Sequence, residues 1–510
     1  MAKMAKVRLD GASLTLEQVE AIAHGADVML TAEAKKRVRA SRKVVDHSTR
    51  DGAQVYGVNT GFGHLSNVGI ADDRLGELQL NLIRSHAAGV GDPLPETTVR
   101  AILALRANCL IRGHSGLRLR TVMRLTELLK HRIHPVVPAK GSVGASGDLA
   151  PLAHVALTLI GEGDVFFDGK RTSAKRALKR CGLEPLTLEA KEGLALINGT
   201  QVMGAIGTLA LLQAERLCED ADIVGAMSLE ALLGSHKAFD ARIHAARAQP
   251  GQIASAKHLR ALLRHSEINK SHIDCGRVQD CYSLRCMPQV HGAVRDALAY
   301  VRGVLEREVN SSTDNPMVFI DQDEMVSGGN FHGQPVSIAL DHLGTAICTL
   351  ATISERRIER LLNPDLSGLP AFLTPDPGLH SGFMIAHVTA AALVSENKVL
   401  AHPASVDTVP TSAAKEDHVS MGAHAARKAA TIVDHVTTVL AIETICAAQA
   451  LDLRLPLKPA RAIDAVRNRF RRHVKRLRRD RQLSPDIERA HAWIRDGGLR
   501  EAAAWGRDKR

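Results

Sequence analysis

Aromatic residues are scarce: 2 Trp, 3 Tyr and 9 Phe make up 3% of 510 residues. A surface that holds single-stranded nucleic acid by stacking needs more of them. Cysteine is sparse too. The eight thiols, at 109, 181, 218, 275, 281, 286, 348 and 446, include no C-x-x-C pair, which excludes a disulfide scaffold. Cys275, Cys281 and Cys286, with His272 nearby, lack the tight paired spacing of a structural zinc site. No metal is therefore expected, and the thiols read as small hydrophobes. Long apolar runs are also missing. Leu149 to Ile160 is broken by Pro151 and His154 and falls short of a membrane span. Met1 to Thr15 carries charges but no apolar h-region, so neither a secretory signal nor a membrane segment is expected. A cytoplasmic protein is the simplest reading.

What is present fits a folded globular protein. Hydrophobic residues at 45% and charged residues at 24% exclude a disordered or collagenous chain, and 510 residues imply a large core or two fused domains. The formal net charge of +11 raises nucleic-acid binding as a question. Arg467 to Arg481 alone supplies +8, leaving +3 for the other 495 residues. Within that run Val466, Phe470, Val474 and Leu477 repeat at helical spacing, so an amphipathic helix with a basic face is expected. A solvated face or subunit contact explains it more simply than nucleic acid.

Helix signals dominate the rest. Leu340, Leu343, Ile347 and Leu350 step by three and four, and the pattern continues through Ile358 and Leu361 until Asn363-Pro364 stops it. Ile432, Val436, Val439 and Leu440 mark a second long helix. Alternating β-branched runs are missing, and the lone Asn198-Gly199 follows an alanine-leucine stretch. Helices of this length need packing partners, so the expected fold is mainly α, a long-helix bundle. Loops interrupt it near 57–63, 141–151, 328–335 and 402–412, and residues 1–110 are expected to form a smaller loop-containing domain before a helical domain at 111–510.

Chemistry concentrates in Pro138 to His154, PAKGSVGASGDLAPLAH. Glycines at 141, 144 and 147 suggest a phosphate cradle, but no Gly-Lys-Ser/Thr follows and no strand-borne G-x-G-x-x-G is present. A nucleophile elbow needs glycine where Asp148 stands. A self-cyclisation fits instead. The Gly147 amide nitrogen can attack the Ala145 carbonyl carbon, two waters leave, one of them from the Ser146 side chain, and a methylidene-imidazolone results. Such a tight ring favours the small residues found here.

Five blocks occur in order: YGVNTGFG at 56–63, this segment, GLALINGTQ at 193–201, QDCYSLRCMPQ at 279–289 and SGGNFHGQP at 327–335, with EDHVSMGAHAARK following at 416–428. In these the sequence resembles the aromatic amino acid ammonia-lyase family over most of its length. The resemblance implies removal of ammonia through an electrophile built from Ala145, Ser146 and Gly147, with no metal, nicotinamide or pyridoxal phosphate. It also implies a homotetramer whose active sites draw on three subunits.

By the same resemblance Tyr56 is the base for the β-proton, and Tyr282 supports binding near the prosthetic group. A tyrosinate suits a weakly acidic C–H once its ordinary pKa of about 10 is lowered by positive surroundings. Asn198 contacts the substrate amine or the imidazolone, Arg285 holds the carboxylate, Gln279 is a second contact for carboxylate or prosthetic group, and Phe331 lines the pocket. The third tyrosine, Tyr300, reads as a core filler. Ser85-His86 resembles the histidine-acting members at the position that sets selectivity, and Glu416 adds an acceptor for an imidazole N–H, so L-histidine is the expected substrate. Lys415 beside Glu416 departs from the common pattern. The alternatives are a phenylalanine or tyrosine ammonia-lyase, or an aromatic amino acid 2,3-aminomutase with the same prosthetic group.

Overall fold

A computed structural model describes residues 6–50 and 55–508. Helix dominates, as the periodicity predicts. Leu340, Leu343, Ile347, Leu350, Ile358 and Leu361 form one buried stripe of the helix Gln334–Leu362. Asn363 ends it: its side-chain oxygen accepts from the Asp365 amide at 3.0 Å, opening a short helix with Pro364 in the first turn. The helix Gly422–Arg454 buries Ile432, Val436, Val439 and Leu440 in the same way. These two helices are long and apolar enough to cross a membrane, but 61% and 89% of their apolar windows are buried inside the protein. They are core helices of the bundle.

The chain divides into two compact units. The first takes the chain through Leu209, with Arg302–Asp341 and Pro403–Arg427; the second takes Ala210–Val301, His342–His402 and the chain from Lys428 onward. The first unit therefore does not end near 110. The helix Glu96–Leu110 packs against Leu119–Lys130, and its fully buried Arg106 donates to Gln201 Oε1 at 2.6 Å and to the Ala195 carbonyl. A boundary at 110 would strip these partners from a buried guanidinium.

All the strands among the described residues lie in the first unit, as small pairings. Val7–Leu9 runs parallel to Val28–Leu30, Val90–Pro93 antiparallel to Pro138–Lys140, and Met317–Phe319 antiparallel to Glu324–Val326. A three-stranded sheet joins His134–Pro135, Asp164–Phe167 and Lys170–Ser173.

The second unit is built on long helices around buried charge. Arg357 and Glu443 are fully buried and paired in a fork, Nε to Oε1 at 2.5 Å and Nη2 to Oε2 at 2.8 Å, with the Ser228 and Ser354 hydroxyls each donating at 2.6 Å. Here three sequence expectations change. The basic run is not one helix: Arg461–Phe470 stops at Phe470. Val474 and Leu477 are still buried, because buried Gln449 supplies hydrogen bonds the helix would have made, accepting from Leu477 N at 3.1 Å and donating to Leu477 O at 2.8 Å. Tyr300 is half-exposed and meets His342 edge-on at 5.6 Å, since the inward stripe of Met287–Glu308 is Val294, Leu298, Val301 and Leu305. Of the thiols, Cys109, Cys218 and Cys446 are buried, but Cys275 is exposed.

Candidate active site

The Ala145-Ser146-Gly147 triplet lies immediately before the helix Leu149–Leu159, and Asn198-Gly199 immediately before Gln201–Ala231. The two segments meet at a bridge between Gly147 and Gly199, where the Asp148 amide donates to the Gly199 carbonyl at 2.7 Å. Gly147 has φ +73°, and a Cβ there would stand 2.2 Å from that carbonyl oxygen. Only glycine fits so close a backbone contact in a left-handed conformation.

Asp148 holds the junction. It is fully buried, and its Oδ2 accepts from the Val202 and Met203 amides at 3.0 and 2.9 Å, capping the second helix. Its Oδ1 accepts from the Ser142 hydroxyl at 3.1 Å. Burial outweighs these donors and pushes the carboxyl up to about 6. From behind, Ser420 Oγ donates to the Gly144 carbonyl at 3.1 Å and the Met421 amide to Val143 O at 2.8 Å.

In front of the triplet is a cavity of about 800 Å³, walled entirely by the first unit. Tyr56, His86, Ala145, Ser146, Asn198, Phe331 and Glu416 all line it. The loops near 57–63, 141–148, 328–333 and 411–418, which interrupt the helices, each contribute to this wall.

His86, at the end of the helix Leu75–His86, has Nδ1 2.8 Å from the Leu82 carbonyl. A carbonyl only accepts, so Nδ1 carries the proton and Nε2 is left as an acceptor. Burial lowers the imidazole below its ordinary value, against the Leu82 carbonyl and Glu416, so the ring is neutral near pH 7. Glu416 accepts from Ser146 Oγ at 3.2 Å and from Thr411 Oγ1 at 2.7 Å. Its loop is bridged from Thr411 to Glu416 and turns through Ser412, Ala413 and Ala414 at φ +53°, +51° and +64°. Three non-glycine residues in left-handed backbone store strain. Exposed Lys415 also reaches the cavity wall.

Tyr56 is half-buried, edge-on to Phe62 at 6.3 Å, and its hydroxyl oxygen accepts from the Gly63 amide at 3.4 Å. Its phenol departs from the expectation of positive surroundings. Burial raises it above the ordinary value, the Gly63 amide opposes this, and Glu416 raises it further. The charge that acts on Tyr56 is negative.

Asn198 is buried, and its Nδ2 donates to Asp314 Oδ1 at 3.2 Å and to Asn315 O at 3.1 Å, while its Oδ1 has no partner. Asp314 and its buried partner Lys191 were not singled out from the sequence. They are 123 positions apart, and neither carries a local motif. The remaining three expected residues belong to the second unit. Gln279 is exposed, Tyr282 is 71% exposed, and the Arg285 guanidinium lies over the Tyr282 ring at 4.7 Å with its Nε buried and unpartnered.

A cyclisable Ala-Ser-Gly loop at converging helix starts, facing a cavity with a tyrosine and an amide, defines a class of carbon–nitrogen lyase, and the chain belongs to the aromatic amino acid lyase family, whose model matches residues 14–472. It is 59% identical over 506 residues to the histidine ammonia-lyase of Anaeromyxobacter sp. (strain K), covering 97% of this chain and 100% of that one. Solved structures share its fold. The histidine ammonia-lyase of Trypanosoma cruzi superposes with a TM-score of 0.91 at 45% identity, over 98% of this chain and 96% of the other. A tyrosine aminomutase from Streptomyces globisporus gives 0.94 at 40% identity, over 99% and 100%.

Proposed function

We propose that the protein deaminates L-histidine to trans-urocanate and ammonia, the first step of histidine breakdown, in the cytoplasm. The observation that carries this reading is that His86 and Glu416 line the same cavity as Ala145 and Ser146. An imidazole bound there can donate its N–H to the Glu416 carboxylate or to His86 Nε2, whereas a hydrocarbon ring offers these acceptors no donor.

The residues present suit a methylidene-imidazolone formed from Ala145, Ser146 and Gly147. The triplet has the required composition, Gly147 is packed where no side chain fits, and Asp148 pins the junction through the Val202 and Met203 amides. When formed, that group supplies an electrophile that metal or pyridoxal chemistry would supply elsewhere. The chain's own residues do the rest. Tyr56 takes the β-proton, the C–H electron pair becomes the new C=C bond, and the C–N bond breaks to release the amine. Asn198 contacts the amine, and Phe331 packs against the substrate. Asp148 holds the loop in place.

The assembly is a homotetramer, in which Gln279, Tyr282 and Arg285 serve a neighbouring copy's site, Arg285 taking the carboxylate. Exposed Ile385, Val388 and Val399 on the helix Met384–Leu400 support a subunit contact there.

Near-ultraviolet absorbance with L-histidine, L-phenylalanine and L-tyrosine offered separately tests the reading, since each elimination yields a conjugated acid with its own spectrum. Growth of the urocanate band with histidine alone, lost in Ser146→Ala, is expected. Growth with an aromatic substrate instead would overturn the assignment of His86 and Glu416. The likeness to a tyrosine aminomutase makes β-amino acid formation the second product to assay.

A further inference from the structure

Asn198 is the one amide in the cavity wall beside the Ala145-Ser146 segment that has a buried, unpartnered oxygen. An amide with both hydrogens spent can only accept. Both Asn198 hydrogens are spent, on Asp314 Oδ1 and Asn315 O. Flipping the amide would set its oxygen against these two acceptors, so the network fixes the orientation. Asp314 Oδ1 is itself held as an oxygen by the Asn315 amide at 2.7 Å, and Asp314 Oδ2 by Lys191 Nζ at 3.1 Å. Lys191 and Asp314 are both fully buried.

A buried ion pair is a poor source of stability, because desolvation offsets the attraction. Its position behind Asn198 suggests another use. We propose that the Lys191–Asp314 pair holds the Asn198 amide with its oxygen presented to the substrate's amine, which makes Lys191 and Asp314 positioning residues for amine recognition. This rests on the reading of the cavity as an amino acid site, and it decides between the two partners the family resemblance leaves open for Asn198. An oxygen acceptor suits an N–H donor, not the carbonyl of an imidazolone.

The test is binding, measured by calorimetry in a Ser146→Ala background so that nothing turns over. The ligands are L-histidine and 3-(imidazol-4-yl)propionate, which lacks the amine. Two neutral double variants avoid an unpaired buried charge. Lys191→Met with Asp314→Leu removes the acceptor for Asn198 Nδ2. Lys191→Met with Asp314→Asn keeps an oxygen there, pinned by the Asn315 amide. The first is expected to lose about tenfold in preference for the amine-bearing ligand, with affinity for the propionate unchanged. The second should keep the preference. In an Asn198→Ala background neither pair of changes should alter it further.

Equal weakening of both ligands, or a further loss on top of Asn198→Ala, would overturn the proposal and leave the pair a structural element. Failure of the unmodified enzyme to consume L-histidine would instead count against the proposed function. The amine argument is then decided with L-tyrosine and 3-(4-hydroxyphenyl)propionate, where the same loss supports it and an unchanged preference overturns it.

Discussion

The Ser146 hydroxyl donates to Glu416 Oε1 at 3.2 Å, joining two loops 270 positions apart. The oxygen that Glu416 holds is the one the proposed ring closure releases as water. Glu416 Oε1 then loses its donor, while Oε2 keeps the Thr411 hydroxyl at 2.7 Å. A carboxylate oxygen freed in a cavity wall takes another N–H, and an imidazole carries one. Under the proposed function, processing of the loop and readiness to bind histidine would thus be linked through one atom.

Glu416→Gln keeps the shape and removes the charge. Hydrogen bonds to charged groups contribute about 1.5–3 kcal/mol, so KM for L-histidine should rise by about tenfold or more. L-phenylalanine, which offers no ring N–H, should stay unconsumed by both the unmodified enzyme and the variant. Initial rates from product absorbance give both values. A histidine KM unchanged in this variant would remove Glu416 from ring recognition.

Tyr56→Phe should reduce kcat by about 10²–10⁴-fold, the usual contribution of a positioned base, with KM for L-histidine within a few-fold of the unmodified enzyme. Substrate binding without turnover, seen by calorimetry beside the rate assay, separates this from a folding defect. Because burial and Glu416 raise the Tyr56 phenol, activity should also climb with pH on the alkaline side of neutrality.

Asp148 gives a pH signature in stability. Its carboxyl is raised from 3.8 to about 6 in the folded protein, so the folded state binds that proton more tightly than the unfolded chain. The stabilisation is complete below pH 3.8 and is lost as pH rises through about 6. The swing amounts to about 3 kcal/mol. Urea midpoints measured from pH 4 to pH 7 should show this component in the unmodified protein and lose it in Asp148→Asn. An identical pH profile in the variant would show that Asp148 titrates normally.

Gln449→Leu should destabilise the second unit. The side chain donates to the Leu373 and Leu477 carbonyls at 3.1 and 2.8 Å and accepts from the Leu477 amide at 3.1 Å. Leaving such buried groups without partners costs about 1–3 kcal/mol each. Calorimetry should show Tm reduced by several degrees, together with earlier proteolysis between 471 and 483. A Tm equal to that of the unmodified protein would mean water replaces the amide.

Much of the site was legible because it is written in contiguous blocks. YGVNTGFG, the loop at 138–154, GLALINGTQ, SGGNFHGQP and the stretch at Glu416 each read as chemistry or as loop, and each reaches the cavity wall. The helical stripes were legible for a similar reason, since the spacing of Leu340, Leu343 and Ile347 is a local property. What escaped depends on which distant segments meet. Lys191 and Asp314 carry no motif, and only the fold makes them a pair. Gln449 lies in one helix and ends another element 28 positions on, so a run with helical spacing at 466–477 stops being helix at Phe470. The Tyr56 phenol reversed direction because burial raises it and Glu416 adds to the rise, and the sequence states neither that burial nor that nearness.

The backing of the reactive loop has a consequence for how the protein is made. Ser420 grips the Gly144 carbonyl from 276 positions further along, and Met421 grips Val143. At about 5–20 residues per second of synthesis, a ribosome needs roughly 15–55 s to go from one to the other. For that interval the triplet is already outside with neither its rear support nor the Glu416 oxygen. Under the proposed chemistry, the electrophile's precursor is therefore exposed early but shaped late, and a chain truncated before 416 carries the triplet without the contacts that would set it.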